Sequence, residues 1–175
     1  HTVMILHQNG TLDSLVVRVE GDAAITAAGL SDDLSAALLS GGFWPAFCAR
    51  PFGTIPAPDA VPDAIVVNAV QAAPQAPDPA QVLIDVRDDF HKGCEALTRL
   101  TQGDVFICQS PGEPLGLTHE RVHHASFSGT LAAGLPGTQI DRLCPGKPVW
   151  SIGYQDVAAI GHFHATGEYR ATRVM

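Results

Sequence analysis

Charge is scarce in this chain: Asp, Glu, Lys and Arg make up only 16% of 175 residues, and their balance is −8. A protein that displaces counterions from a nucleic-acid backbone carries the opposite sign, so a nucleic-acid partner is excluded. Long apolar runs are missing too. The longest, such as 64–67, fall far below the ~20 residues that span a bilayer, and no stretch reads as a signal peptide. The four cysteines (Cys48, Cys94, Cys108, Cys144) form no CxxC pair. That spacing argues against a zinc ribbon or a redox dithiol and favours reduced thiols in a cytosolic protein. No G-x-S-x-G surrounds Ser110, Ser126 or Ser128, so a nucleophile elbow is absent. Gly129 and Gly134 have P-loop spacing, but Leu135 and Pro136 stand where Lys and Ser/Thr must be, which removes the contacts to phosphate and magnesium.

What remains is a globular composition, 46% hydrophobic, of a length that suits one domain with a small appendage. Val3–Leu6 and Leu15–Val19 are β-rich, with Asn9-Gly10 as a turn between them. Ser31 suits an N-cap before a helix carrying Leu34, Ala37 and Leu38, and Gly41-Gly42 ends it. Prolines 51, 56, 58 and 62 then make an extended connector. Residues 1–60 therefore read as a small N-terminal α+β part, and 61–175 as the main α/β body.

In that body 64–70 is apolar on both faces, as a buried parallel strand should be. Asp78-Pro79 is a cap with proline at the first helical position. Leu83, Val86, Phe90, Leu97 and Leu100 trace one face of a helix about five turns long. Strands follow at 104–109 and 122–127, then a short helix at 137–143. Pro148 to Ile152 is a strand, Gly153-Tyr154 breaks it, and a helix with Val157, Ile160 and Phe163 on one face runs to Gly167. Strands separated by helical runs imply a mostly parallel, Rossmann-like sheet flanked by helices.

The candidate chemistry is thin. No G-x-G-x-x-G follows Val70 or Gln109, so neither loop is built to approach a pyrophosphate. His162 and His164 point about 200° apart on a helix, and His123 and His124 face opposite sides of a strand, so no metal site is expected. Cys48, Cys94 and Cys108 sit on apolar patterns, while Cys144, beside Pro145-Gly146, reads as a partly exposed loop thiol. Two groups stand out. Trp44, Phe47, Arg50 and Phe52 form an aromatic and cationic patch at the junction of the two parts, read either as packing or as a ligand or interface site. Tyr154, Gln155 and Asp156 lie at the carboxyl end of a strand, where doubly wound sheets bind ligands; capping and packing are the competing reading.

The string Trp150-Ser-Ile-Gly-Tyr-Gln-Asp-Val157 resembles the NqrA subunit of the Na+-translocating NADH–quinone reductase. So do Gly129…Ala133-Gly134-Leu135-Pro136-Gly137-Thr138, Thr166-Gly167-Glu168, Gly42-Phe43-Trp44, Arg50-Pro51-Phe52, Pro62-Asp63-Ala64-Ile65 and Leu97-Thr98-Arg99-Leu100-Thr101, in the same order. The chain departs from the family pattern near Gln139 and Asp141, where the family has two histidines, so a role resting on those histidines is not carried over. The resemblance implies an interior fragment of a longer chain, in keeping with a start at His1 and an end at Met175 just inside a strand-like stretch. It implies a fold similar to the flavin-binding subunit of respiratory complex I. It further implies a peripheral position on the cytoplasmic face of the bacterial inner membrane, within a complex that couples NADH-to-ubiquinone electron transfer to Na+ export. Expected partners are ubiquinone and the other subunits of the reductase, NqrB to NqrF, above all the membrane subunit NqrB. No cofactor is expected in the fragment itself. The rival reading is a flavin- or NADH-binding oxidoreductase subunit related to complex I.

Overall fold

The fold is that of a computed structural model, which describes residues 16–17, 33–71, 76–129, 131–170 and 173–174. A short strand β1 (Val16–Val17) precedes helix α1 (Leu34–Ser40), strand β2 (Cys48–Arg50) and strand β3 (Ala64–Ala69). Helices α2 (Pro79–Val82) and α3 (Arg87–Leu100) lead to strands β4 (Asp104–Gln109) and β5 (Val122–Ser126). Helix α4 (Pro136–Leu143), strand β6 (Val149–Gly153), helix α5 (Tyr154–Thr166) and strand β7 (Tyr169–Arg170) complete the order. β1 pairs antiparallel with β7, and the main sheet runs β2-β6-β3-β4-β5. β6, β3, β4 and β5 are parallel; only β2, on the edge, runs against its neighbour.

Alternation along the strands sorts side chains onto two faces. Ile65, Val67, Val105, Ile107, Trp150 and Ile152 enter one core with Leu38, Phe90, Leu97, Ile160 and Phe163 from α1, α3 and α5. Ala64, Val66, Cys108 and Val149 face the other way and are covered by Ile140 of α4 and Cys144 at its end. The result is a three-layer α/β body.

Helices α3 and α5 meet at glycines. A methyl group on Gly161 would collide with the Asp89 carbonyl and the Gly93 amide, and one on Gly93 would collide with Val157. The contact depends on these two residues lacking side chains. The C-terminus of α3 is satisfied by Arg121, whose guanidinium donates to the carbonyls of Thr98 (2.7 Å) and Thr101 (2.9 Å), a cation at the negative end of the helix dipole.

Several expectations change. The single helix through Leu83 and Leu100 is broken into α2, a 3-10 turn at Ile84–Val86, and α3, because Val86 leaves the helical region at φ −125, ψ 24. The bent path still directs Leu83 and Phe90 inward, so the apolar spacing does not distinguish it from a straight helix. The cap of α1 is Asp33, which accepts from the Ala36 amide at 3.0 Å; Ser31 lies outside the described residues, as do the strand at 3–6 and the Asn9-Gly10 turn. The boundary near residue 60 falls between strands of one sheet. β2 pairs with β6 through Cys48–Ser151, Ala49–Trp150 and Arg50–Val149, and β6 pairs in turn with β3. The connector is tied down by bonds from Trp44 to the Pro56 carbonyl (2.8 Å) and from Thr101 to the Pro62 carbonyl (2.7 Å). Cys144 lies just past α4, as expected, but is 3% exposed and not partly exposed, since the chain there turns it under against β3.

Candidate functional site

The chain leaves β3 towards β4 and β5 on one side and returns to β6 on the other, so the carboxyl ends of β3 and β6 form the switch-point crevice where such sheets seat ligands. Here the crevice is occupied by the protein. Asn68, at the end of β3, donates to the Gly134 carbonyl at 3.0 Å and accepts from the Val70 amide at 3.2 Å. Gln139, fully buried on α4, donates to Asn68 Oδ1 (3.0 Å) and to the Ala133 carbonyl (3.1 Å). The segment before α4 thus folds across the crevice, where a dinucleotide fold would keep an open glycine turn.

The neighbouring cleft, over the ends of β3 and β4, holds about 320 Å³ between Leu83, Arg87, Gln109 and Pro114. Its outer loop is fastened by Gln109, which donates to the Glu113 carbonyl (2.8 Å) and accepts from the Leu115 amide (3.0 Å).

The two candidate groups separate in space. Trp44 and Phe47 are core residues, 4% and 1% exposed, with rings 5.4 and 5.5 Å from Trp150. Arg50 and Phe52 diverge from them into a cleft of about 510 Å³ on the opposite face, against α4. The four therefore do not make one patch: alternation along β2 and the turn after it send them to different layers. Tyr154, Gln155 and Asp156 open α5 just past the carboxyl end of β6, whereas Arg50 pairs with Val149 at the other end of that strand. Two of them hold residues 173–174: Gln155 exchanges two 2.9 Å bonds with the Val174 backbone, and Asp156 pairs with Arg173 at 2.8 Å. Burial pushes the Tyr154 phenol above its usual range, so it remains a protonated, packing tyrosine.

The histidines are dispersed. His162 pairs with Asp89 and His123 with Asp104, each at 3.2 Å, while His124 accepts from the Gly116 amide. Among the described residues no group of three or more His, Cys, Asp or Glu is gathered as a metal site needs. Burial pushes Cys94 and Cys108 up to about 12 and raises Cys144, which leaves them poor nucleophiles. Sequence reasoning missed Asn68 and Gln139; a polar residue ending an otherwise apolar strand was the signal available for the first.

Fold and site together define a class: a three-layer α/β module with a mixed sheet, its switch-point crevice filled by its own side chains. Comparison with known proteins makes this specific. The family model described as the NqrA second alpha/beta domain matches residues 30–169, and the chain belongs to that family. It is 40% identical over 94% of its length to the NqrA subunit of the Na(+)-translocating NADH-quinone reductase of Shewanella amazonensis. It is 43% identical over 93% of its length to the protein of the same name from Rhodopirellula baltica. In each case it spans 39% of the relative's length.

Proposed function

We propose that this chain is a shaping and docking domain of the NqrA subunit in a sodium-translocating NADH–quinone reductase, the complex that passes electrons from NADH to ubiquinone and exports Na+. In this reading the domain carries no flavin, nicotinamide or iron–sulfur centre and is not catalytic alone. It sits peripherally at the cytoplasmic face of the bacterial inner membrane. There it contacts the other subunits, NqrB to NqrF, above all the membrane subunit NqrB, near where ubiquinone reacts. Its Rossmann-like sheet, akin to that of the flavin-binding subunit of complex I, serves as a frame and not as a cofactor cradle. Consistent with a peripheral position, no helix among the described residues is long and apolar enough to cross a membrane.

The observation that carries this reading is the occupied crevice: Asn68, Gly134 and Gln139 are bonded to one another at the switch point, where doubly wound sheets bind their ligands. A surface suited to a partner is present instead. Phe52, Ile55 and Val61 are 86%, 58% and 64% exposed on the connector beside the edge strand β2, and apolar side chains so displayed mark contact sites.

The test uses full-length NqrA carrying Phe52→Asp and Ile55→Asp. Incorporation into membrane-bound reductase should fall while circular dichroism of the purified protein is unchanged; normal incorporation would remove the docking role. Adding FMN or NADH to the purified wild-type protein should leave its melting temperature where it was. A saturable upward shift would favour the rival, a flavin- or NADH-binding subunit related to complex I.

A further inference from the structure

The cleft between the turn after β2 and the outer flank of α4 is built for a ligand of particular chemistry. Arg50 and Lys147 provide two cations in a chain that has eighteen acidic residues against ten Lys and Arg. Asp141 is the acidic residue on its wall, so the local balance is one positive charge where the molecule as a whole is negative. Arg50 Nε is buried and has no hydrogen-bond partner among the described residues. A buried donor left unpaired is costly, and native structures rarely leave one unless water or a ligand completes it. Gly137 on α4 lies beside the guanidinium, and a methyl group there would be in ordinary contact with Arg50 Nη2 at 3.9 Å. Ile140, Pro148 and the exposed ring of Phe52 supply apolar walls. At about 510 Å³ the volume falls in the range of small-molecule sites.

We propose that this cleft binds a small monocarboxylate, its anionic group on the Arg50 fork and Lys147, and its aromatic or branched alkyl body against Ile140, Pro148 and Phe52. A guanidinium matches a carboxylate in plane, with two parallel donors. Asp141 opposes a second negative charge, which sets a monoanion apart from a dianion such as phosphate. The site shares Phe52 with the proposed docking surface, so the charged residues Arg50, Lys147 and Asp141 are the ones that test it separately.

Calorimetric titration of full-length NqrA with 2-naphthoate, 2-naphthol and inorganic phosphate tests it. One saturable naphthoate site is expected, with naphthol and phosphate each at least about tenfold weaker, the loss that follows when a charge-assisted pair is not made. Arg50→Gln should weaken naphthoate by at least about tenfold, Lys147→Gln by several-fold, and Asp141→Asn should tighten it. Lys147 and Asp141 are exposed, so these two variants report on the site even where Arg50→Gln loses stability. Equal binding of naphthoate and naphthol, unchanged affinity in Lys147→Gln and Asp141→Asn, or no saturable naphthoate binding would each overturn the assignment.

Discussion

Trp44 and Phe52 are both aromatic, close in sequence, and opposite in their contribution to the fold. The Trp44 ring lies edge-on to Trp150, its indole N–H is spent on the Pro56 carbonyl, and only 4% of it is exposed. Removing it leaves a cavity and an orphaned carbonyl, so Trp44→Ala should cost about 3–5 kcal/mol of unfolding free energy. Phe52 is 86% exposed, and Phe52→Ala should change stability by no more than about 0.5 kcal/mol. Urea titration of both variants checks the contrast. An equal cost would mean that the two rings share one environment. The sequence groups these residues because they are close along the chain; the strand between them decides which layer each enters.

At the scale of elements, the contact between α3 and α5 sets how closely the two helices lie side by side in one layer. Gly93 and Gly161 allow the two backbones to touch, and neither helix has space for a methyl group there. Gly161→Ala therefore has to separate the helices or bend one, and should destabilise by roughly 1–3 kcal/mol even though alanine is the better helix former. Thermal melts followed by circular dichroism would show it. A stabilised variant would contradict the close crossing. The start of α2 and the end of α5 were legible, since Asp78 and Gly167 act on amides and carbonyls a few residues away. The break at Val86 was not, because helical spacing of Leu83, Val86 and Phe90 is equally served by a bent path.

Among the described residues of the whole molecule, one sheet and one core draw on both sides of position 60. β2 precedes the proline-rich connector and β6 lies far beyond it, yet they are neighbours in one sheet, and α1 shares its core with α3 and α5. Scanning calorimetry should accordingly give one cooperative transition, with calorimetric and van't Hoff enthalpies in agreement. Two separable transitions would support a division near residue 60. The resemblance of Trp150–Val157 and its companions to NqrA pointed to the family that the comparisons show. The residues that shape the candidate site were less visible, since Arg50 meets α4, and Asn68 meets Gln139, only after folding.

The sequence by itself determined the four parallel strands β3, β4, β5 and β6 and most of the helices, because each rests on side-chain period or backbone freedom over a few neighbouring residues. Only the tertiary structure decided that Asn68 and Gln139, 71 positions apart, close the crevice, that Trp44 and Phe47 belong to the core, and that Arg50 faces an open cleft. Those outcomes depend on which strands pair and which face each side chain enters, and no local pattern specifies that.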